Sequence, residues 1–368
     1  SDPDFLVGES GYDETVMAWE SIDIAAKVLS NVKETALKNR NARVENAYIN
    51  DQNALCRFPF LEEWITLPAS GVSRFPVYLS EWRGDLMAVS GGRVYRIDVD
   101  AGTYEDVTGA AVTGTNRVIF AQTEEELLMA AGKQIISLRG NESRILSRDA
   151  PESTHVVFIK GYVVAIEPGS GRFYHSAVGQ YDSWNPIDVF SAEGKPDNLN
   201  AAHVTDFNEL LLCGPESIEQ HDPSPSGTRP FFLRWTLGAG LFAPYTIVSV
   251  DNRVWGVNQR QEFVSFSSQA STTESRDVQV SLEMVDDWRD AWSAELPIDG
   301  QRFIILQCPH ATNIYGTKGL TFLYDYQKKR WGTLYGPIGE DGLPTRWQGW
   351  SVKKLSRGDD VKYVGGER

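Results

Sequence analysis

Gly91-Gly92-Arg93-Val94-Tyr95 and Gly132-Lys133-Gln134-Ile135-Ile136 are two copies of one local pattern. Each follows an apolar run, Leu86-Met87-Ala88 in the first and Leu127-Leu128-Met129 in the second, then turns on glycine and re-enters an apolar strand. Glycine supplies the positive φ that a tight hairpin requires. Outward from this pair, the unit recurs at Val163-Val164 with Phe173-Tyr174, Leu210-Leu211-Leu212 with Ile218, and Val254-Trp255 with Phe263-Val264. It continues at Phe303-Ile304-Ile305 with Leu320-Thr321-Phe322 and ends between Trp350 and Val361. Successive units begin roughly 36 to 50 residues apart, and a blade of four short strands takes about 40 to 50. The spacing predicts an all-β chain folded as a β-propeller of six or seven blades. A pair of sandwich domains is the competing architecture, but the repetition of one grammar favours the propeller. A circular array needs its last blade tied to its first, and Glu63-Trp64-Ile65-Thr66-Leu67 with Val361-Lys362-Tyr363-Val364 are the segments expected to do this.

The front of the chain reads differently. From Glu14 to Ala47 there is no proline or glycine, and Val16, Trp19, Ile22, Ala26, Leu29 and Val32 fall at steps of three and four. That is one stripe of an amphipathic helix, with Asp13 as its N-cap. Lys27, Lys33, Lys38, Arg40 and Arg43 gather toward its C-terminal half, where cations suit the helix dipole. Residues 1–50 are therefore read as an acidic tail and helical arm, and 51–368 as the propeller. Trp19, Ile22, Ala26 and Leu29 form the candidate interface, expected to dock on an adjacent subunit or another protein, with packing on the chain's own propeller as the alternative. Two insertions interrupt the repeat, a proline-rich loop near 222–230 and a stretch near 271–300. The second contains Val278, Val280, Leu282 and Met284, read as an alternating strand, followed by Asp286-Asp287-Trp288-Arg289-Asp290-Ala291-Trp292.

Composition narrows the function. The chain has 368 residues with a formal net charge of −15, which opposes general adhesion to DNA or anionic lipid. No run of eighteen apolar residues occurs and no basic-then-apolar leader opens the sequence, so a soluble protein with no membrane contact is expected. Gly 32, Trp 11, Tyr 14 and Phe 16 are the usage of many tight turns joining aromatic-rich strands. Cys56, Cys213 and Cys308 are an odd, scattered set without metal-ligand spacing, so no disulfide framework is expected.

The chemistry-bearing residue types give no active site. Asp98-Val99-Asp100-Ala101-Gly102 with Glu105-Asp106 has closely spaced carboxylates, but its order is not that of a calcium loop. A solvated hairpin tip is the better reading. His155, His175, His203, His221 and His310 have no paired ligand spacing, so no metal is expected, and no nucleophile elbow or phosphate loop appears, so no cofactor is either. Asp286, Asp287 and Asp290 beside Trp288 and Trp292 are the one arrangement that could be drawn as a glycosidase pocket. A single short segment cannot readily place two carboxylates on opposite faces of a sugar. No catalytic residue is expected; Trp288 and Trp292 should be buried, with Asp286 and Asp290 facing solvent.

One ordered series is more specific. Phe173-Tyr174-His175-Ser176, Trp184, Ser191-Ala192-Glu193-Gly194-Lys195-Pro196-Asp197, and Leu211-Leu212-Cys213-Gly214-Pro215-Glu216-Ser217-Ile218-Glu219 follow at the spacing of successive blade strands. Gly240-Leu241-Phe242-Ala243-Pro244-Tyr245, Val254-Trp255 and then Leu323-Tyr324-Asp325 with Trp331 complete it. This series resembles the packaged-DNA stabilisation proteins of short-tailed bacteriophages, the tail accessory factors that form the tail nozzle or hub. The resemblance implies a structural virion protein, assembled in the host cytoplasm as a homohexameric ring below the head-to-tail adaptor. Such a ring extends the DNA channel and retains packaged DNA until ejection, with DNA passing without sequence-specific binding. The rival reading is a carbohydrate-binding or glycoside-hydrolysing propeller.

Overall fold

The computed structural model describes residues 44–59, 61–68, 75–191, 197–224, 230–267, 270–357 and 361–366, and only the backbone of 186–190. Trp19, Ile22, Ala26 and Leu29, and the expected helical arm before Val44, lie outside the described residues.

Among the described residues, six antiparallel four-stranded units follow one another, spanning residues 77–106, 119–145, 156–191, 201–237, 243–273 and 292–338. In each, consecutive strands are hydrogen-bonded neighbours, so every unit is a meander. Their first strands, Val77–Trp82, Ile119–Gln122, Val156–Ile159, Ala201–Val204, Ala243–Val250 and Trp292–Ile298, stand beside one another in chain order. The link between the fifth and sixth is a parallel bridge, Tyr245 to Trp292. Between the first and second, the Gln122 amide nitrogen donates to the Glu81 carbonyl at 2.5 Å. Parallel first strands around a common axis define the propeller expected from the repeat.

Turn chemistry sets the meanders. Ser90 pairs with Arg93 across Gly91 (φ 56°) and Gly92 (φ 79°), a two-residue hairpin with both central residues left-handed. Val250 and Arg253 are joined in the same way by Asp251 (φ 54°) and Asn252 (φ 59°). Burial then grades outward. Leu127–Ala130 and Leu210–Cys213 are buried on both faces, whereas the outermost strand of the first unit, Thr103–Asp106, is exposed throughout. Inner strands are sandwiched between neighbouring sheets, which is why they read as continuous apolar runs instead of alternating.

The core lies between sheets. Phe173, Val164 and Ile159 of the third unit pack on Leu210, Leu212 and Phe231 of the fourth, and Leu211, Cys213 and Ile218 of the fourth on Val254, Val264 and Phe266 of the fifth. Trp255, Phe263 and Val257 of the fifth meet Ile304, Phe322, Tyr324 and Trp331 of the sixth. Each fully buried large apolar side chain contributes about 1.5–3 kcal/mol.

Both ends of the described chain fill the gap between the sixth unit and the first. Ser351–Lys354 pairs with Lys362–Gly365 in a two-stranded hairpin whose first strand neighbours both Val77–Trp82 and Trp292–Ile298. The Ser351 hydroxyl donates to the Val77 carbonyl (2.8 Å) and accepts from the Leu79 amide (3.1 Å). Trp64 lies against Tyr363 with ring centroids 5.2 Å apart, and Ile65 and Leu67 share an apolar cluster with Tyr363, Leu355, Leu86 and Tyr95. The expected closing segments therefore do meet, with Trp64, Ile65 and Leu67 packed beside Tyr363, but residues 61–68 form no strand and the strand partner of Lys362–Gly365 is Ser351–Lys354.

Two expectations are corrected. Residues 44–47, at the end of the stretch read as helical, are not helix: Ala47–Ile49 is a strand paired with Leu55–Arg57, and Glu45 bridges Thr333 on the outer strand of the sixth unit. Asn46 at φ 50° breaks any helix there, and Thr333 exchanges hydrogen bonds with Val44 and Asn46. The alternating strand read over 278–284 is a 3-10 turn, Arg276–Val278, leading into a short helix, Gln279–Glu283. Val278 and Leu282 are both fully buried while Met284 is exposed. Positions four apart share a face in a helix as they do in a strand, so period two could not separate the two forms over so short a run.

Candidate functional site at the propeller axis

The residues that lead into or open the first strands converge on the axis. Arg117, two residues ahead of Ile119–Gln122, inserts its guanidinium between the Tyr78 ring (5.0 Å to the centroid) and the Trp292 ring (4.7 Å). It also donates to the carbonyl of Trp350, which leads into the closing hairpin. One side chain thus ties the second unit to the first, the sixth and the chain's closing segment. Burial pulls its pKa down to about 10, opposed by Tyr78, Asp290 and Tyr245 nearby. It still carries its charge at neutral pH.

The contacts continue around the axis. Tyr245, one of the groups near the Arg117 charge, stacks its ring on His155 with centroids 5.4 Å apart and planes 10° from parallel. His155 is 2% exposed, and burial, with a smaller contribution from His203, holds its pKa down at about 3. His203, on Ala201–Val204, bonds Ser249 Oγ through Nε2 at 2.7 Å, and burial lowers its pKa to about 4. Both imidazoles are neutral at pH 7. Trp292 is fully buried, its indole nitrogen donating to Gln307 Oε1, and Trp350 is 4% exposed under the Arg346 guanidinium, 4.8 Å away. Aromatic rings and one sandwiched cation fill the axis at this level.

This arrangement joins the units to one another. Sequence reasoning named His155 and His203 only for their lack of ligand spacing and passed over Arg117. The signal was available in position: His155 and Trp350 immediately precede an opening strand and Arg117 stands two residues ahead of one, a place visible once the repeats are aligned.

The other candidates are dispersed. Asp98 Oδ1 accepts the backbone amides of Asp100 and Ala101, each at 3.0 Å, and Asp100 pairs with Arg357 at 3.2 Å. The carboxylates once compared with a calcium loop hold a hairpin tip. No group of three or more His, Cys, Asp or Glu placed to hold a metal ion occurs among the described residues. Trp288 and Trp292 are buried and Asp286 is exposed, as expected. Asp290 is not: it is half-buried and paired with His310 at 3.0 Å, because the loop folds back on the sixth unit. Lys353 lies in a strand and pairs with Glu81 at 3.6 Å.

Comparison with known proteins agrees with this geometry. The family described as bacteriophage P22 Gp10, beta-propeller, matches residues 33–352. No curated protein matches the chain. Among solved structures, the extracellular domain of a putative one-component system from B. thetaiotaomicron is similar at 10% identity and TM-score 0.53, over 80% of this chain and 38% of that one. YCF48 bound to D1 peptide is similar at 14% identity and TM-score 0.45, over 66% of this chain and 77% of that one. The first likeness is one of fold alone. The family match extends over most of the chain, including every unit that carries an axial residue, and the chain belongs to the phage-stabilisation family of P22 Gp10 β-propellers.

Proposed function

We propose that this protein is a wall segment of the tail nozzle of a short-tailed phage: a seven-bladed propeller, its seventh sector built from residues 61–68, 351–357 and 361–366, six copies of which ring the DNA channel below the head-to-tail adaptor. The family match over residues 33–352 carries the reading. The filled axis supports it. A DNA duplex, whose major groove alone is about 12 Å wide, cannot thread an axis where Arg117 lies between Tyr78 and Trp292. The channel then has to run between subunits, with each propeller acting as a solid block.

Charge supports the same role. At −15 per chain, a ring presents a net repulsive field to phosphate, so DNA slides without sticking and is retained by geometry. The work is mechanical, with no catalysis. Electron microscopy of the purified protein with its adaptor, or of intact tails, tests this. A six-fold ring whose lumen lies between propellers is expected. A protein that stays monomeric with its adaptor, or DNA density along a propeller's own axis, overturns it.

A further inference from the structure

Between the fourth and fifth units the sheets leave a cleft of about 300 Å³, at the lower end of the range for small-molecule sites. Leu211, Val254 and Phe266 line it and are buried in the apolar cluster between the two sheets, against which half-buried Trp235 packs. Residues of two turns, 205–209 in the fourth unit and the Val250 to Arg253 hairpin in the fifth, line it as well. Both turns are fixed. The Thr205 amide donates to the Glu209 carbonyl at 3.0 Å and the Thr205 hydroxyl to the Glu209 carboxylate at 3.1 Å, which holds Phe207 outward, 62% exposed. On the other side Ser249 is pinned by His203.

The polar groups of the cleft are uncommitted. Asp206, Asn252 and Arg253 all line it, yet none of their side chains makes a hydrogen bond or ion pair with another of the described residues. A carboxylate acceptor, a guanidinium donor and an amide that does both therefore share one space with the rings of Trp235 and Phe207. This set selects among ligands. A wholly apolar molecule would desolvate these groups and return no hydrogen bond. A phosphate would meet Asp206 and Glu209, and no group of three or more His, Cys, Asp or Glu placed to hold a metal ion occurs among the described residues. A sugar ring satisfies both halves of the lining, because its C–H face is apolar and each hydroxyl donates and accepts. We propose that this cleft binds a neutral mono- or disaccharide, with a ring face on Trp235 and Phe207 and hydroxyls on Asp206, Asn252 and Arg253. The site adds a ligand to the molecule without resting on the ring, and the ring does not rest on it.

Saturation-transfer NMR on the full chain tests this with maltose, lactose, diacetylchitobiose and methyl rhamnoside, and with AMP and triglycine as probes of other ligand classes. At least one sugar should bind saturably, with affinity falling about ten-fold in Phe207→Ser and in Asn252→Ala, the loss of one ring contact or hydrogen bond. Both residues are exposed, so neither change touches the core. Binding of AMP or triglycine alone, binding of no probe, or a sugar affinity equal in wild type and both variants overturns the proposal. Hydrogen exchange supplies a readout that needs no substitution. At saturation with the sugar that binds, amides of 205–209 should exchange several-fold more slowly while those of 156–166 stay unchanged, and equal exchange with and without that sugar also overturns it.

Discussion

Arg117 shows how much one side chain can hold when it sits where several elements meet. Its cation is desolvated, so its two ring contacts and its bond to the Trp350 carbonyl are worth more than they would be at a surface. Arg117→Ala should lower unfolding stability by about 2–4 kcal/mol, and Arg117→Lys, which keeps the charge but not the flat guanidinium, by an intermediate amount. Urea unfolding midpoints at pH 7 check both. His155 makes a different prediction. Its folded pKa of about 3, and that of about 4 for His203, lie below the unfolded value near 6.5. Between those limits the unfolded chain takes up protons that the folded one refuses, so stability falls as pH drops from about 6.5 toward 4. His155→Phe preserves the stack on Tyr245 and removes one such group. Its stability should fall less than the wild type's between pH 7 and pH 4.5, and parallel curves would show that His155 contributes nothing to the acid response.

The closing hairpin is the element on which closure of the propeller depends. A Cβ built on Gly365 would lie 2.1 Å from the Val77 carbonyl oxygen, so glycine there is set by close approach of backbone to backbone. Gly365→Ala should cost about 1–3 kcal/mol by overpacking, and exchange at Ser351–Lys354 should rise more than exchange at Leu210–Cys213. At this scale the sequence was most legible where a repeat enforced it. Gly91-Gly92 and the doubly buried Leu127–Ala130 follow from turn chemistry and apolar runs that recur in every unit. It was least legible where tertiary contact overrode local pattern. Residues 44–47 read as helix but are drawn onto Thr333, and Glu63–Leu67 packs beside Tyr363 without pairing. Of the site, the burial of Trp292 was foreseen, whereas the sandwich around Arg117 joins residues 39 and 175 positions apart, a juxtaposition that no short-range pattern encodes.

For the whole molecule, charge and architecture make a joint prediction. An acidic block with a filled axis should bind duplex DNA no more tightly than a simple acidic protein, so fluorescence anisotropy with a short duplex at 0.15 M salt should show no saturable binding by the isolated chain. Micromolar or tighter binding would argue against a sliding wall. The circular arrangement also has a consequence for biosynthesis. The first unit leaves the ribosome with its partner still unmade, because Val77–Trp82 packs against Ser351–Lys354. At about 5–20 residues per second, translation from one segment to the other takes roughly 15–55 s. Throughout that interval the nascent chain is an open arc with apolar faces uncovered at both ends. A product interrupted before residue 350 would keep those faces bare, a target for chaperones and proteases, so the pairing of Ser351–Lys354 with Lys362–Gly365 should separate closed propellers from open fragments.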